Sequence, residues 1–132
     1  MKRDVRIVEN PRLTDEDLNR LFLASWPAHV PRSFAGVLGQ SLVYFGAYWE
    51  SHLVGFVNVA WDGGVHAFLL DPTVRPDFRR QGIGLDLVKA AADVAAGRGI
   101  EWLHVDYEPA LEPFYRAAGF RSTNAGLLRV AS

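Results

Sequence analysis

A mixed α/β fold of the α+β kind, with a mostly antiparallel central sheet flanked by helices, is predicted by three features of this sequence. Three β-rich runs follow one another between Leu42 and Val74 with only short turns between them, the pattern of an antiparallel meander. A basic, glycine-containing loop then leads from the last run into an apolar-periodic helix and a further strand-like run, Ile100 to Val105, which together make a βαβ unit. Finally, 132 residues with 49% hydrophobic and 22% charged side chains suit one soluble domain, residues 1–132, whose core needs no metal or disulfide staple.

Composition also removes whole classes of function. With 14 basic against 15 acidic side chains the net charge is −1, so no bulk attraction to nucleic acid or membrane is expected and any anion site must be local. The absence of cysteine excludes disulfides, thiolate metal sites and a cysteine nucleophile. His52 and His104 have no metal-ligand spacing with other candidates, so no metal is expected. No apolar run of signal-peptide length follows the N-terminus, and none approaches the ~18 residues of a membrane span. A cytoplasmic protein is the expectation.

Taken in order, Val5 to Glu9 alternates well enough for a first strand, which Asn10-Pro11 ends. Thr14 then reads as an N-cap before an acidic first turn, with Leu13 placed to staple against Leu18 and with Leu18, Leu21 and Phe22 as the buried face. Ala24 to Gly36 breaks that pattern with prolines and carries Trp26 and His29. Leu42 to Trp49 and Leu53 to Trp61 form a hairpin about Glu50-Ser51-His52, and Asp62-Gly63-Gly64 turns the chain into Val65 to Val74. Pro72 cannot donate to a ladder and therefore marks a bulge or an edge. Helix Ile83 to Ala96 stops at Gly97-Arg98-Gly99, and Ile100 to Val105 is apolar enough for a buried parallel strand. The last helix carries Leu111, Phe114, Tyr115 and Ala118, with its first turn disturbed by Pro109 and Pro113. Phe120 to Val130 could form a final hairpin turning at Asn124-Ala125-Gly126.

The loop Val74 to Gly84 has the chemistry of an anion cradle. Gly82 and Gly84 let the backbone turn tightly and admit a ligand without meeting a Cβ. The helix that begins at Ile83 points unpaired N–H groups and the positive end of its dipole at the loop. Arg75, Arg79 and Arg80 add guanidinium groups that match phosphate oxygens. Two nucleotide-binding patterns fail here: Gly84 is followed by Leu85-Asp86 and not by Lys-Ser/Thr, and Leu87 stands where a dinucleotide fold needs its third glycine.

Arg79-Arg80-Gln81-Gly82-Ile83-Gly84 resembles the pyrophosphate-binding motif Arg/Gln-x-x-Gly-x-Gly/Ala of the GNAT superfamily of N-acetyltransferases, and Phe114-Tyr115-Arg116-Ala117-Ala118-Gly119-Phe120 resembles that family's later Phe-Tyr-x-x-x-Gly-Phe element. The upstream Val74-x-Pro76 is similar to the end of its fourth strand, so the clear resemblance spans Leu53 to Phe120. It implies six to seven strands flanked by about four helices, and acetyl-CoA (coenzyme A) as cofactor. The cofactor-binding residues it implies are Thr73, Val74, Arg79, Arg80, Gln81, Gly82, Ile83 and Gly84, with the main chain near Thr73 and Val74 pairing with the pantetheine amides. It also implies transfer to a primary amine of a small molecule or peptide, by direct attack in a ternary complex.

Tyr115 is the catalytic residue this resemblance selects, as a phenol that protonates the departing thiolate; without it, an aromatic four residues from Leu111 reads as core. The base departs from the family pattern, because Phe68 and Leu70 occupy the strand positions where a glutamate or histidine is common. His66, on the same face by strand parity, is the best substitute, followed by Asp71 or ordered water, while a strand histidine with no role is the plain alternative. Glu108 stands where the family commonly has asparagine and receives no role. The loop with Trp26 and His29 either walls the acceptor site or packs as an amphipathic loop, and Trp26 and Trp61 hint at an aromatic wall. A shortage of clustered acids argues against polycationic acceptors. A non-catalytic acyl-CoA-binding or sensing module is the competing reading, and a homodimer is a state open to either.

Overall fold

Alternation of apolar and polar side chains gives the first strand, β1 (Val5–Glu9), with the bounds the sequence suggests. Asn10 ends it in a left-handed conformation, φ 46°. This computed structural model describes residues 3–131. Helix α1 (Asp15–Ser25) starts at Thr14, whose hydroxyl accepts from the Asp17 amide at 3.1 Å while the Asp17 carboxylate accepts from the Thr14 amide at 3.1 Å. This reciprocal box satisfies two of the helix's orphan donors. The helix buries Leu18, Leu21 and Phe22 in a cluster with Phe34 and Phe56. A single short helix, α2 (Ala35–Gly39), closes the proline-containing loop.

Strands β2 (Ser41–Trp49), β3 (His52–Trp61) and β4 (His66–Val74) form the expected antiparallel meander, and β5 (Trp102–Val105) lies parallel to β4. The sheet order is β1-β2-β3-β4-β5. Helix α3 (Ile83–Gly97) crosses one face, where Leu87, Val88, Ala91 and Ala95 pack on Val43, Phe45, Val57, Val59, Ala67 and Leu69. Helix α1 covers part of the other face around Phe56. Full burial of a Leu or Phe is worth about 1.5–3 kcal/mol, so these two clusters hold the three layers together.

Pro72 does mark a bulge. The β3–β4 register passes from Phe56↔Thr73 to Asn58↔Leu70, leaving an extra residue in β4 at Asp71-Pro72, and Asp71 takes φ 54°. A proline without an N–H and an aspartate that tolerates the left-handed region are the residues such a site accepts. Likewise Pro109 and Pro113 shape the C-terminal helix, which opens as a 3-10 turn (Pro109–Leu111) before α4 (Glu112–Ala117).

Two expectations require correction. The described residues hold five strands and not six to seven, because residues 121–131 form no strand and Leu127, Leu128 and Val130 stand 84%, 84% and 90% exposed. The Arg-Ser-Thr-Asn-Ala-Gly stretch that precedes those apolar residues includes several weak strand formers, and an isolated hairpin is marginal at best in water. As a result β5 is an edge strand and is not buried: Trp102 is 48% exposed and His104 is exposed as well. The count of four helices agrees with the expectation.

Candidate active site

The site is built where two strands part. Parallel pairing of β4 with β5 runs from His66↔Trp102 to Leu69↔Val105 and stops there, while β4 continues to Val74. Thr73 and Val74 pair on their other side with Phe56 and Gly55. Residues 70–74 therefore present a main-chain edge with no strand partner beside the split, and the bulge at Asp71-Pro72 bends that edge. An extended ligand carrying amide groups can add to such an edge as a further strand would.

The loop after β4 supplies the anion cradle. A 3-10 turn (Pro76–Phe78) buries Phe78 and is tied back by the Arg79 Nε, which donates to the Val74 carbonyl at 3.1 Å. Gly82 caps α3 with φ 82° and offers no capping side chain, so the N–H groups of the first helical turn point into the loop without a side-chain acceptor. A Cβ placed on Gly82 meets nothing within 4 Å, whereas one on Gly84 lies 3.4 Å from the Phe114 ring and 3.6 Å from Val74. Gly82 is thus glycine for its left-handed backbone beside open space, while at Gly84 a Cβ would only touch Phe114 and Val74. Ile83 turns its side chain into the core, 4% exposed, and contributes main chain only. Donors, dipole and open space together suit a doubly charged phosphate group.

Of the three loop arginines, two are engaged within the protein, Arg79 through its Nε and Arg75 through a carboxylate. Arg75 Nε and Nη2 donate to the two carboxylate oxygens of Asp77 at 2.7 and 3.0 Å, and its guanidinium lies 4.8 Å from the Phe78 ring centroid. That hydrogen-bonded pair holds the Asp77 carboxyl below the usual carboxylate range, and Arg75 is not the mobile charge the sequence suggested. Arg80, at φ 63°, is exposed and has no protein partner among the described residues. The Gln81 side-chain oxygen accepts from the Arg3 amide at 2.9 Å, which fixes the loop to the N-terminal segment.

Tyr115 on α4 is 3% exposed, stacked on Tyr107 at 4.7 Å and met edge-on by Phe114 and Phe120. Its hydroxyl has no protein partner, yet no side-chain oxygen among the described residues is both fully buried and unsatisfied. The ring is therefore enclosed while the oxygen keeps an outlet to solvent. Burial pushes the phenol above its ordinary value, which keeps the proton in place for donation. Its neighbour Phe114 touches the start of α3 at Gly84, so Tyr115 and the cradle belong to one locale.

The two candidate bases are placed differently. His66 opens β4 opposite Trp102, at the paired end of the strands, and its Nδ1 lies 2.9 Å from the His104 Nε2. Asp71 sits at the bulge, beside the split. Burial raises its carboxyl above the ordinary 3.8, partly offset by the charge of Arg32. Sequence reasoning ranked His66 first by parity; the signal for Asp71 was its place directly before Pro72 inside a strand, where a side chain is re-aimed.

Other candidates are accounted for by packing. Trp26 stacks on Phe22 at 4.5 Å, and His29 Nε2 lies 2.8 Å from the Asn19 Oδ1 while its ring meets Phe34. Trp61 ends β3 opposite Ala67, away from the split. Glu108 precedes the 3-10 turn and accepts there through its main-chain carbonyl, from the Leu111 amide at 2.8 Å. A polar cavity of about 190 Å³, lined by residues including Arg12, Arg20, His52 and Arg75, lies beside the β2–β3 turn. Two of its arginines already bond carboxylates, Arg20 to Glu16 and Arg75 to Asp77.

Comparison with known proteins identifies the family. The sequence profile described as the acetyltransferase (GNAT) family matches residues 12–120. No curated protein matches the sequence at a significant level. Among solved structures, the chain is similar to a GNAT-family acetyltransferase from Streptococcus pneumoniae (TM-score 0.81, 24% identity, 97% of this chain and 100% of that one). It is also similar to the aminoglycoside N-acetyltransferase AAC(6')-Iy, solved in complex with CoA (TM-score 0.77, 19% identity, 97% and 95% covered). A third is an aminoglycoside acetyltransferase from an uncultured soil metagenomic sample, solved with trehalose (TM-score 0.71, 20% identity, 97% of each chain).

Proposed function

Since the chain belongs to the acetyltransferase (GNAT) family and is thereby an acetyl-CoA-dependent acetyltransferase, we propose that it moves the acetyl group to a primary amine by direct attack, with Tyr115 as general acid and Asp71 as general base. The observation that carries this reading is the split itself. A half-buried carboxylate lies at an unpaired strand edge that runs into the anion cradle, and the phenol's ring neighbours are Tyr107, which follows β5, and Phe114, which meets the start of α3. When bound, acetyl-CoA supplies the activated thioester.

In this assignment the residues 79–84 hold the pyrophosphate through Arg80, the α3 amides and the open space at Gly82, and the edge at Thr73 and Val74 orients the pantetheine arm. Tyr115 gives its proton to the departing sulfur. Asp71 takes the proton released by the amine, which needs a carboxyl closer to neutrality than a solvated aspartate. Arg32, close enough to act on Asp71, draws that carboxyl back toward its ordinary value. His66 remains a secondary base through ordered water, and the hydrogen bond to His104 gives it a fixed orientation.

The test is Asp71→Asn. It is expected to lower kcat/KM by about 10²-fold, within the range general-base catalysis is worth, and to flatten the acidic limb of the pH profile. Stability should move the other way. The unfolded carboxyl titrates near 3.8 and the folded one higher, so between those values the folded state holds more protons and wild-type stability falls as pH rises. Above that window the loss is complete, and Asp71→Asn should melt at a higher temperature than wild type at pH 7, with the gap closing below pH 3.8. An unchanged pH profile with lowered stability would remove Asp71 from the reaction.

The same reading admits a homodimer across the outer edge of β5, which no strand of its own chain covers, with the exposed Leu127, Leu128 and Val130 as the apolar material that edge lacks. Sedimentation at micromolar protein distinguishes it from a monomer.

A further inference from the structure

We infer that the acceptor is an aromatic monoamine, laid flat on the open face of β4 and β5 with its amine at Asp71; the inference rests on the transferase reading above. The register sets Trp102 opposite His66 and His104 opposite Phe68, so that these four rings share the face turned away from α3. His104 stacks on Phe68 at 4.8 Å and 24°, and its Nε2 is held 2.9 Å from His66. Phe68, Leu70 and Trp102 are 39%, 40% and 48% exposed, although β-strand side chains of this kind are ordinarily covered. Helix α1 packs on β3 and β4 around Phe56 and leaves Phe68 and Leu70 open. The uncovered strip runs along β4 through Phe68 and Leu70 and ends at Asp71, where the strands part.

Its charge selects against polycations. Facing the strip are Arg32, near Asp71, and Arg121, 5.8 Å over the Trp102 ring, together with the two imidazoles. Asp71 lies at one end of the strip and Asp62 beside His66 at the other, and no group of three or more His, Cys, Asp or Glu side chains that could hold a metal ion converges among the described residues. An acceptor with several ammonium groups would meet two guanidinium groups and no clustered acids. A single amine on a flat apolar body matches both the carboxylate at the split and the stacked rings, since aromatic pairs gain beyond the area they bury. The solved relatives that carry aminoglycoside names would on this account differ in acceptor class.

The experiment uses the full chain at saturating acetyl-CoA, following thiol release and the mass of the amide product with 2-phenylethylamine, tryptamine, butylamine, neamine and spermidine. The two aromatic amines are expected to exceed neamine and spermidine in kcat/KM by about tenfold or more. Phe68→Ala should lower kcat/KM for 2-phenylethylamine by roughly threefold to tenfold, the worth of one aromatic contact, mainly through KM, and lower that for butylamine by less. Phe68 is part-exposed, so the variant should fold, and its melting temperature checks this. Turnover of neamine or spermidine equal to or above that of the aromatic amines overturns the inference and leaves the transferase intact, as does an equal loss for butylamine and 2-phenylethylamine in Phe68→Ala. No turnover of any amine by a chain that binds CoA in calorimetry removes the transferase reading, and the inference with it.

Discussion

Tyr115→Phe should lower kcat by roughly 10²–10⁴-fold, the usual worth of a positioned general acid, with acetyl-CoA affinity nearly unchanged. The phenyl ring keeps every stacking partner, Tyr107, Phe114 and Phe120. The deleted hydroxyl bonds to no protein group, so its loss strands no donor or acceptor and stability should stay within about 0.5 kcal/mol. Wild type should also lose activity as the phenol deprotonates, at a pH above the ordinary range of tyrosine because burial raises it. That alkaline limb should vanish in the variant. Turnover within twofold of wild type, on any acceptor that wild type acetylates, would take Tyr115 out of the mechanism.

Gly82→Asp should abolish acetyl-CoA binding, weakening it by about 100-fold or more, which corresponds to losing two charge-assisted hydrogen bonds at ~1.5 kcal/mol each. The substitution sends a carboxylate into space that is empty to 4 Å, where the diphosphate is assigned, and in front of amides that need an anion. Aspartate tolerates the left-handed region better than most residues, so the φ of 82° costs only about 1 kcal/mol. Gly84 is the poorer site for this test, since a Cβ there already touches Phe114 and a longer side chain would confound binding with packing. Isothermal titration with CoA reads the result directly, and a wild-type affinity would refute the cradle.

Much of this was legible in the chain because its signals are local. Thr14 and Asp17 lie three residues apart and box the same helix start that the sequence suggests. Pro72 announces a defect in β4 through its missing N–H, and the register confirms it at Asp71. The loop from Arg79 to Gly84 is a contiguous motif, so its geometry could be foreseen residue by residue. What escaped depends on neighbours distant in sequence. The raised carboxyl of Asp71 comes from burial, which the charge of Arg32, distant in sequence, partly offsets. The ring contact of His66 with His104 requires the β4–β5 register. The final hairpin failed because strand pairing needs a partner edge as well as apolar residues, and Leu127, Leu128 and Val130 have none in their own chain. Arg75 was read as free charge only because its bidentate pairing with Asp77, two residues on, depends on the turn at Pro76.

Initial velocities of thiol release, measured while acetyl-CoA and an acceptor amine are varied together, test the central claim most directly. Tyr115 and Asp71 acting at one split, on two substrates bound at once, require release that depends on the amine and double-reciprocal lines that intersect. Parallel lines would mean an acetylated enzyme and no ternary complex, and the absence of thiol release with every amine, from a chain that binds CoA tightly, would make the split a binding site and not an active one.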